Sequence, residues 1–165
     1  MKLSLALAGT LILGSSLTAC GDNGAQQEKE RRESARVQAY CASLKAAAPK
    51  IKAYDEDDPD FKKLQGYFDV MRSLAKKAPA ELHADWNIVD YDIAGIERAA
   101  VAANIKLAGI PKLVKHMPKS VNEAKLPDFA SAFTDLKRVS HESAISRIAT
   151  HAAKVCKVDL TPNSN

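Results

Sequence analysis

The sequence contains little of what fibrous, low-complexity or membrane-spanning chains require. It has seven glycines and seven prolines in 165 residues, and aromatic residues make up 5% of it. These values exclude collagen-like and low-complexity classes. The chain is 46% hydrophobic and 27% charged, which is typical of a globular protein, and its length suits one domain with a single core.

An excess of charge of one sign is also missing. The chain carries 24 basic and 20 acidic residues, a net charge of +4, with the two signs mixed along it. A dedicated nucleic-acid-binding domain usually concentrates basic residues into a patch. We therefore expect no nucleic-acid partner.

Motifs for catalysis and for metal or cofactor binding are absent. The sequence has no G-x-S-x-G, P-loop or C-x-x-C segment. Its histidines do not pair at the helical spacings that help to build a zinc site; they are His83, His116, His141 and His151. Ser140-His141-Glu142 is interpreted as the start of a helix. We expect no enzymatic activity, no metal and no cofactor.

Acidic residues suggest two possible functional sites, a calcium loop and a catalytic carboxylate pair. In both cases solvated side chains are the preferred interpretation. The acidic segment 55–60 resembles a calcium loop only in part, because Pro59 occupies a ligand position, so a helix-capping turn is preferred over weak cation binding. Most of the acids on the third predicted helix fall off its apolar stripe, which favours a solvated face over a catalytic carboxylate pair; they are Asp85, Asp90, Asp92 and Glu97.

The N-terminus has the pattern of an export signal. Lys2 precedes an apolar run over residues 3–13, which is too short to span a bilayer. The tetrapeptide Leu17-Thr18-Ala19-Cys20 then resembles the bacterial lipobox. That resemblance implies cleavage after residue 19, acylation of Cys20 and anchoring of the mature chain to the cell membrane from outside the cytoplasm. The alternative is an ordinary secretory signal.

Two cysteines remain after Cys20, namely Cys41 and Cys156. An exported chain enters an oxidising compartment, where an even pair is most simply a disulfide. Two structural thiols and a redox pair are the alternatives. The absence of C-x-x-C gives no support to a thioredoxin-like role.

Apolar residues recur at steps of three and four, which predicts four amphipathic helices. The stripes begin at Val37, Phe61, Leu82 and Phe129, and the last one runs to Cys156 with a bend or new N-cap at Ser140. Pro49 should kink or end the first helix. Asp58 and Pro59 should begin the second.

Four helices with short turns between the first three predict an all-α, up-down-up-down four-helix bundle. In that topology the first helix lies beside the end of the fourth, which brings Cys41 near Cys156. The predicted organisation is a signal peptide over 1–19, a lipidated cysteine and polar tether over 20–36, a bundle over 37–158, and a disordered tail over 159–165.

The mature chain resembles small helical-bundle lipoproteins of the actinobacterial envelope. The resemblance depends on the lipobox, the early Tyr40-Cys41 pair, the segment APAELHADW at 78–86, a glycine- and isoleucine-containing insertion, and the late Ala152-x-x-Val155-Cys156. It implies a fold and a location and supplies no catalytic residue.

Segment 104–125 is an insertion that the bundle does not require. It has five lysines and one glutamate, and its apolar residues predict a short basic amphipathic helix between two loops. One interpretation is that it covers an end of the bundle. The other is that it contacts an anionic envelope component or protein through Lys112, Lys115, His116 and Lys119.

Two hypotheses for function follow. The preferred one is a non-catalytic interaction module of the cell envelope that uses this insertion as its contact surface. The alternative is a carrier of a small hydrophobic molecule or lipid, with the insertion as a lid over a pocket near Trp86 and Phe68. Trp86 is otherwise interpreted as a core residue.

Overall fold

The computed structural model describes residues 23–54, 60–113 and 116–160. Within these ranges the chain forms α-helices and short 3₁₀ turns and contains no strand, which confirms the all-α prediction. The helices are α1 (Asn23–Lys52), α2 (Phe61–Ala75), α3 (His83–Ala102), α4 (Ile110–Leu113), α5 (Leu126–Thr134) and α6 (Val139–Lys154).

Helix α1 begins at Asn23, far before the predicted start at Val37. The expected polar tether is therefore helical from Asn23 onward, although its side chains are mostly exposed. Side-chain pairs one turn apart support it, including Arg32 Nε donating to Glu28 Oε1 at 2.8 Å. Helix α1 also passes through Pro49 and ends one turn later, at Lys52.

Helix α2 is capped by Asp60, which accepts a hydrogen bond from the backbone nitrogen of Lys62 at 3.1 Å. The prediction that Asp58 caps this helix is wrong, because α2 begins at Phe61. The predicted apolar stripe of α2 is confirmed. Its buried members are Leu64, Phe68, Met71 and Leu74.

Helix α3 is the centre of the domain and packs against α2, α5 and α6. Every residue of its predicted stripe is buried: Leu82, Trp86, Val89, Ile93, Ile96, Ala100 and Ala103. Arg72 of α2 also binds Glu97 of α3 through two nitrogen–oxygen pairs at 2.8 and 2.6 Å. The Arg72 guanidinium lowers the pKa of the Glu97 carboxyl, so this bond joins α2 to α3 with a charged pair.

The predicted last helix is interrupted. A 3₁₀ turn at Asp135–Lys137 separates α5 from α6, and Arg138 has an extended backbone with φ −68° and ψ 144°. The break comes two residues before the predicted bend at Ser140. With this break and with α4 between α3 and α5, the up-down-up-down order of four helices is not confirmed.

Insertion 104–125 forms less helix than expected. Only Ile110–Leu113 is α-helical, and residues 114–115 lie outside the described chain. Its ends are held together by Asn104 Nδ2 donating to Ser120 O at 2.7 Å and by Asn122 N donating to Ala103 O at 2.9 Å. The insertion is therefore a closed loop.

The apolar side chains of this loop turn inward. Ile105, Leu107 and Val121 are buried, and the turn Leu107–Gly109 packs against α2. Met117, which was expected on the apolar face of a helix, is 45% exposed. The loop is thus anchored at its base, as the interpretation that it covers part of the bundle expects.

The disulfide between Cys41 and Cys156 is confirmed, with the two Cα atoms 5.0 Å apart. The chain beyond it stays on the domain through residue 160, because Lys52 Nζ lies 3.4 Å from Asp159 Oδ2 and Leu160 packs on the core. The disordered tail predicted from residue 159 is wrong for these two residues, and 161–165 lie outside the described chain. None of the described helices has the length and hydropathy needed to cross a bilayer.

We predict that replacing both Cys41 and Cys156 with serine lowers the free energy of unfolding by about 3–5 kcal/mol, because the bond closes a 115-residue separation. Urea denaturation measures the loss. Cys20→Ser, which leaves the pair intact, is the matched control. A double variant as stable as this control would contradict the prediction.

Candidate functional site

A cavity of about 550 Å³ lies between α2, α3, α5 and α6 and is here called the α3 cavity. Its floor is buried and apolar, and its walls are half-buried. The lining residues are Tyr54, Phe61, Tyr67, Phe68, Met71, Val89, Ile93, Phe133, Leu136, Lys137, His141, Glu142 and Ile145. A volume of this size is in the range of small-molecule sites.

Aromatic pairs form the walls of the α3 cavity. Phe61 meets Phe133 edge-on with ring centroids 6.4 Å apart, and Tyr54 stacks on Tyr67 at 4.4 Å. Such pairs contribute about 0.5–1.5 kcal/mol each beyond the area they bury. They connect the end of α1, the start of α2 and the end of α5 at one side of the space.

The charged side chains and the imidazole of the lining lie together in another part of it. Lys137, His141 and Glu142 come from one short stretch at the 3₁₀ turn and the first turn of α6. Lys137 and Glu142 are exposed, whereas the side chain of His141 is only 13% exposed. The cavity therefore has a largely aliphatic and aromatic body and one edge that carries charged side chains.

His141 is held by a buried carboxylate. Its Nδ1 lies 2.8 Å from Oδ2 of Asp92, whose side chain is 1% exposed. Arg138 donates to the other carboxylate oxygen of Asp92. An ionised carboxylate only accepts hydrogen bonds, so Nδ1 of His141 is the donor, and Nε2 of the neutral ring is an acceptor.

A second buried carboxylate repeats this contact two turns earlier on α3. Asp85, whose side chain is 7% exposed, accepts from Arg147 of α6 at 2.8 Å from Nε and 2.5 Å from Nη2. Asp85 and Asp92 thus face α6. The prediction that the acids of α3 are solvated is wrong for both.

These two acids were missed because stripe analysis considers apolar residues alone. Asp85 precedes Trp86 and Asp92 precedes Ile93, so each lies next to a core position, and a spacing of seven puts both on one face of a helix. Their partners are 62 and 46–49 residues away. The spacing was visible in the sequence, but the partners were not.

Of the two residues predicted to line a pocket, Phe68 is in the lining and Trp86 is not. Trp86 is 2% exposed and donates from Nε1 to the hydroxyl of Tyr40 at 3.1 Å. Tyr40 also meets the ring of His151 edge-on, beside the disulfide. Trp86 is therefore a core residue, as its alternative interpretation expected.

The residues predicted for an anionic partner are not part of the α3 cavity. Lys112, His116 and Lys119 are exposed, and Lys115 lies outside the described residues, as does the lipidation candidate Cys20. No described residue of insertion 104–125 lines the cavity. The prediction that the insertion is a lid over this space is wrong for the described residues. The buried apolar residues of the insertion, Ile105, Leu107 and Val121, pack at the base of the loop and against α2 instead.

Within the described ranges, no group of three or more potential metal-binding side chains was found. Comparison with protein-family models, with curated proteins and with solved structures gave no match. The site is therefore interpreted from its own geometry.

We predict that Asp92→Ala lowers the free energy of unfolding by about 2–4 kcal/mol, because it leaves Arg138 and His141 without their acceptor. Asp90→Ala on the same helix is the control. Its carboxylate is 51% exposed and pairs with Arg72 at 3.2 Å, so its loss should cost under about 1 kcal/mol. Urea denaturation compares them, and equal losses would contradict the prediction.

Tyr40 provides a pH-dependent prediction. Burial raises its pKa from 10.0 to about 12, outweighing the bond from Trp86. Between pH 10 and about pH 12 the Tyr40 phenol is ionised in the unfolded chain but still protonated in the folded one. The free energy of unfolding that this difference contributes is complete below pH 10 and is lost as the pH rises to about 12. Tyr40→Phe should show a smaller alkaline loss of unfolding free energy than the wild type.

Denaturant titrations at successive alkaline pH values measure this difference. Tyr91→Phe is the control, because Tyr91 is 66% exposed; it should follow the wild-type curve. A Tyr40→Phe curve parallel to that of the wild type would contradict the assignment of the effect to burial of the phenol.

Proposed function

We propose that this chain is a non-catalytic binding protein that holds a small apolar molecule in the α3 cavity. The observation that carries the proposal is the cavity itself: about 550 Å³ of space with an apolar floor and aromatic walls inside a small helical domain. The cavity is partly open to solvent, so its apolar lining is in contact with water when no ligand is bound. A small apolar molecule would bury that surface, which is the usual driving force for binding in such sites.

We further propose that the protein acts outside the cytoplasm, anchored to the cell membrane by an acylated Cys20. The support is the lipobox-like Leu17-Thr18-Ala19-Cys20 after an apolar run. The Cys41–Cys156 disulfide is consistent with this proposal, because such bonds persist in oxidising compartments. A membrane-attached carrier would exchange an apolar ligand with the adjacent lipid phase.

A second candidate function is contact with an anionic envelope component through the insertion. Lys112, His116 and Lys119 are exposed, and none of them forms an ion pair within the described chain. This candidate is weaker, because exposed lysines on a loop are the ordinary state of a solvated surface. The cavity requires a more specific explanation than the lysines do.

The proposal is tested by a substitution that fills part of the α3 cavity with a larger side chain. Ile145 lines this cavity from α6, one turn after His141, and is half-buried. We predict that Ile145→Trp weakens binding of the neutral fluorophore N-phenyl-1-naphthylamine by about tenfold or more, because the indole takes up apolar surface that the ligand would bury. Fluorescence titration measures the dissociation constant.

Val139→Trp is the matched control. It adds the same indole to the same helix at a position that is 78% exposed and outside the lining. It should bind the fluorophore like the wild type. Circular dichroism verifies that both variants are folded. Equal affinity in folded Ile145→Trp and in the control, or no binding by the wild type, would overturn the proposal.

A further inference from the structure

We propose that His141 recognises the head of the bound ligand, and that the ligand is an amphiphile with an apolar body and one uncharged hydroxyl group. This inference rests on the proposed function, because it assigns a chemical class to the occupant of the α3 cavity. It is carried by the position and bonding of His141, which lines the cavity and is fixed by a buried carboxylate.

The imidazole ring of His141 has one nitrogen free for a ligand. Nδ1 of His141 donates its hydrogen bond to Asp92 Oδ2, and Asp92 is not a lining residue of the cavity. Nε2 lies on the other edge of the ring, and no described residue forms a hydrogen bond with it. In the neutral ring Nε2 accepts a hydrogen bond, so it matches a ligand group that donates one.

The ring of His141 is held in one orientation by the protein itself. The side chain of Asp92 is 1% exposed and is also bound by Arg138, so the partner that holds His141 is itself held. A ring fixed in this way presents Nε2 without losing much side-chain entropy on binding. His141 is therefore suited to position a ligand group.

The charges around His141 favour an uncharged ligand head. The charged groups around His141 are two cations, Lys137 and Arg138, and three anions, Asp92, Glu142 and Asp135, the last of which lies 3.7 Å from Arg138 Nε. Their formal charges sum to −1, so a carboxylate or phosphate head would meet no net positive charge. An alcohol adds no charge and supplies the donor that Nε2 lacks.

The α3 cavity is large enough for a medium-chain alcohol. A chain of ten non-hydrogen atoms, each taking roughly the 30 Å³ of a water molecule in the liquid, occupies about 300 Å³. The cavity of about 550 Å³ admits such a molecule with its head at His141 and its tail among Phe68, Met71 and Ile93.

The experiment compares two isomeric probes, 1-nonanol and 1-methoxyoctane, at pH 8. They have the same atoms, but only the alcohol donates a hydrogen bond. Displacement of N-phenyl-1-naphthylamine from the full chain should show the alcohol binding about threefold to tenfold more tightly, the effect of one hydrogen bond. Equal binding of the two isomers would overturn the role of His141, while binding of neither would overturn the proposed function itself.

His141→Asn is the informative variant, because its amide can still donate to Asp92 but has no atom at the position of Nε2. It should bind 1-methoxyoctane as the wild type does and lose the preference for the alcohol. His116→Asn, at an exposed position outside the cavity, should keep the preference. A preference that survives in His141→Asn, or tighter binding of nonanoate than of 1-nonanol, would overturn the assignment.

Discussion

The buried carboxylate of Asp92 is the contact on which the arrangement of the C-terminal half depends. It binds Arg138, where the chain leaves the helical conformation, and His141 in the first turn of α6. Burying an ionised carboxylate is costly unless hydrogen-bond donors compensate it. The two donors here belong to the residue at the helix break and to the first turn of the helix that follows it. The bond therefore fixes α6 against α3 and fixes the break before it.

The break in turn creates the cavity. Phe133 and Leu136 approach from α5 and the 3₁₀ turn, whereas Ile145 approaches from α6, so the lining comes from both sides of Arg138. Asp85 and Arg147 hold the same two helices together further along. Beyond that pair the domain is closed by the Tyr40–Trp86 contact and the disulfide. One end of the interface between α3 and α6 is thus closely packed, and the other borders open space.

The features of the fold that could be predicted from the sequence are those set by residues close together in the chain. The stripes of α2 and α3 were correct, because burial of a helix face leaves a period in the local sequence. The break at Arg138 was not placed correctly, since neither proline nor glycine marks it and the carboxylate that binds Arg138 belongs to Asp92, 46 residues away. The start of α1 was missed because residues 23–36 have no apolar stripe. Their helix is continuous with the packed part of α1 and needs no stripe of its own.

The candidate site was predictable only in part for the same reason. Phe68 is an apolar stripe residue, so its place near a space between helices could be proposed, whereas His141 was discounted by examining its neighbours in sequence alone. Asp85 and Asp92 were assigned to solvent because they fall off the apolar stripe of α3. Their position is nevertheless informative, because each lies beside a core residue and a carboxylate buried there needs a donor. The donors are Arg147, Arg138 and His141, and they join α3 to the C-terminal helix and to the turn before it.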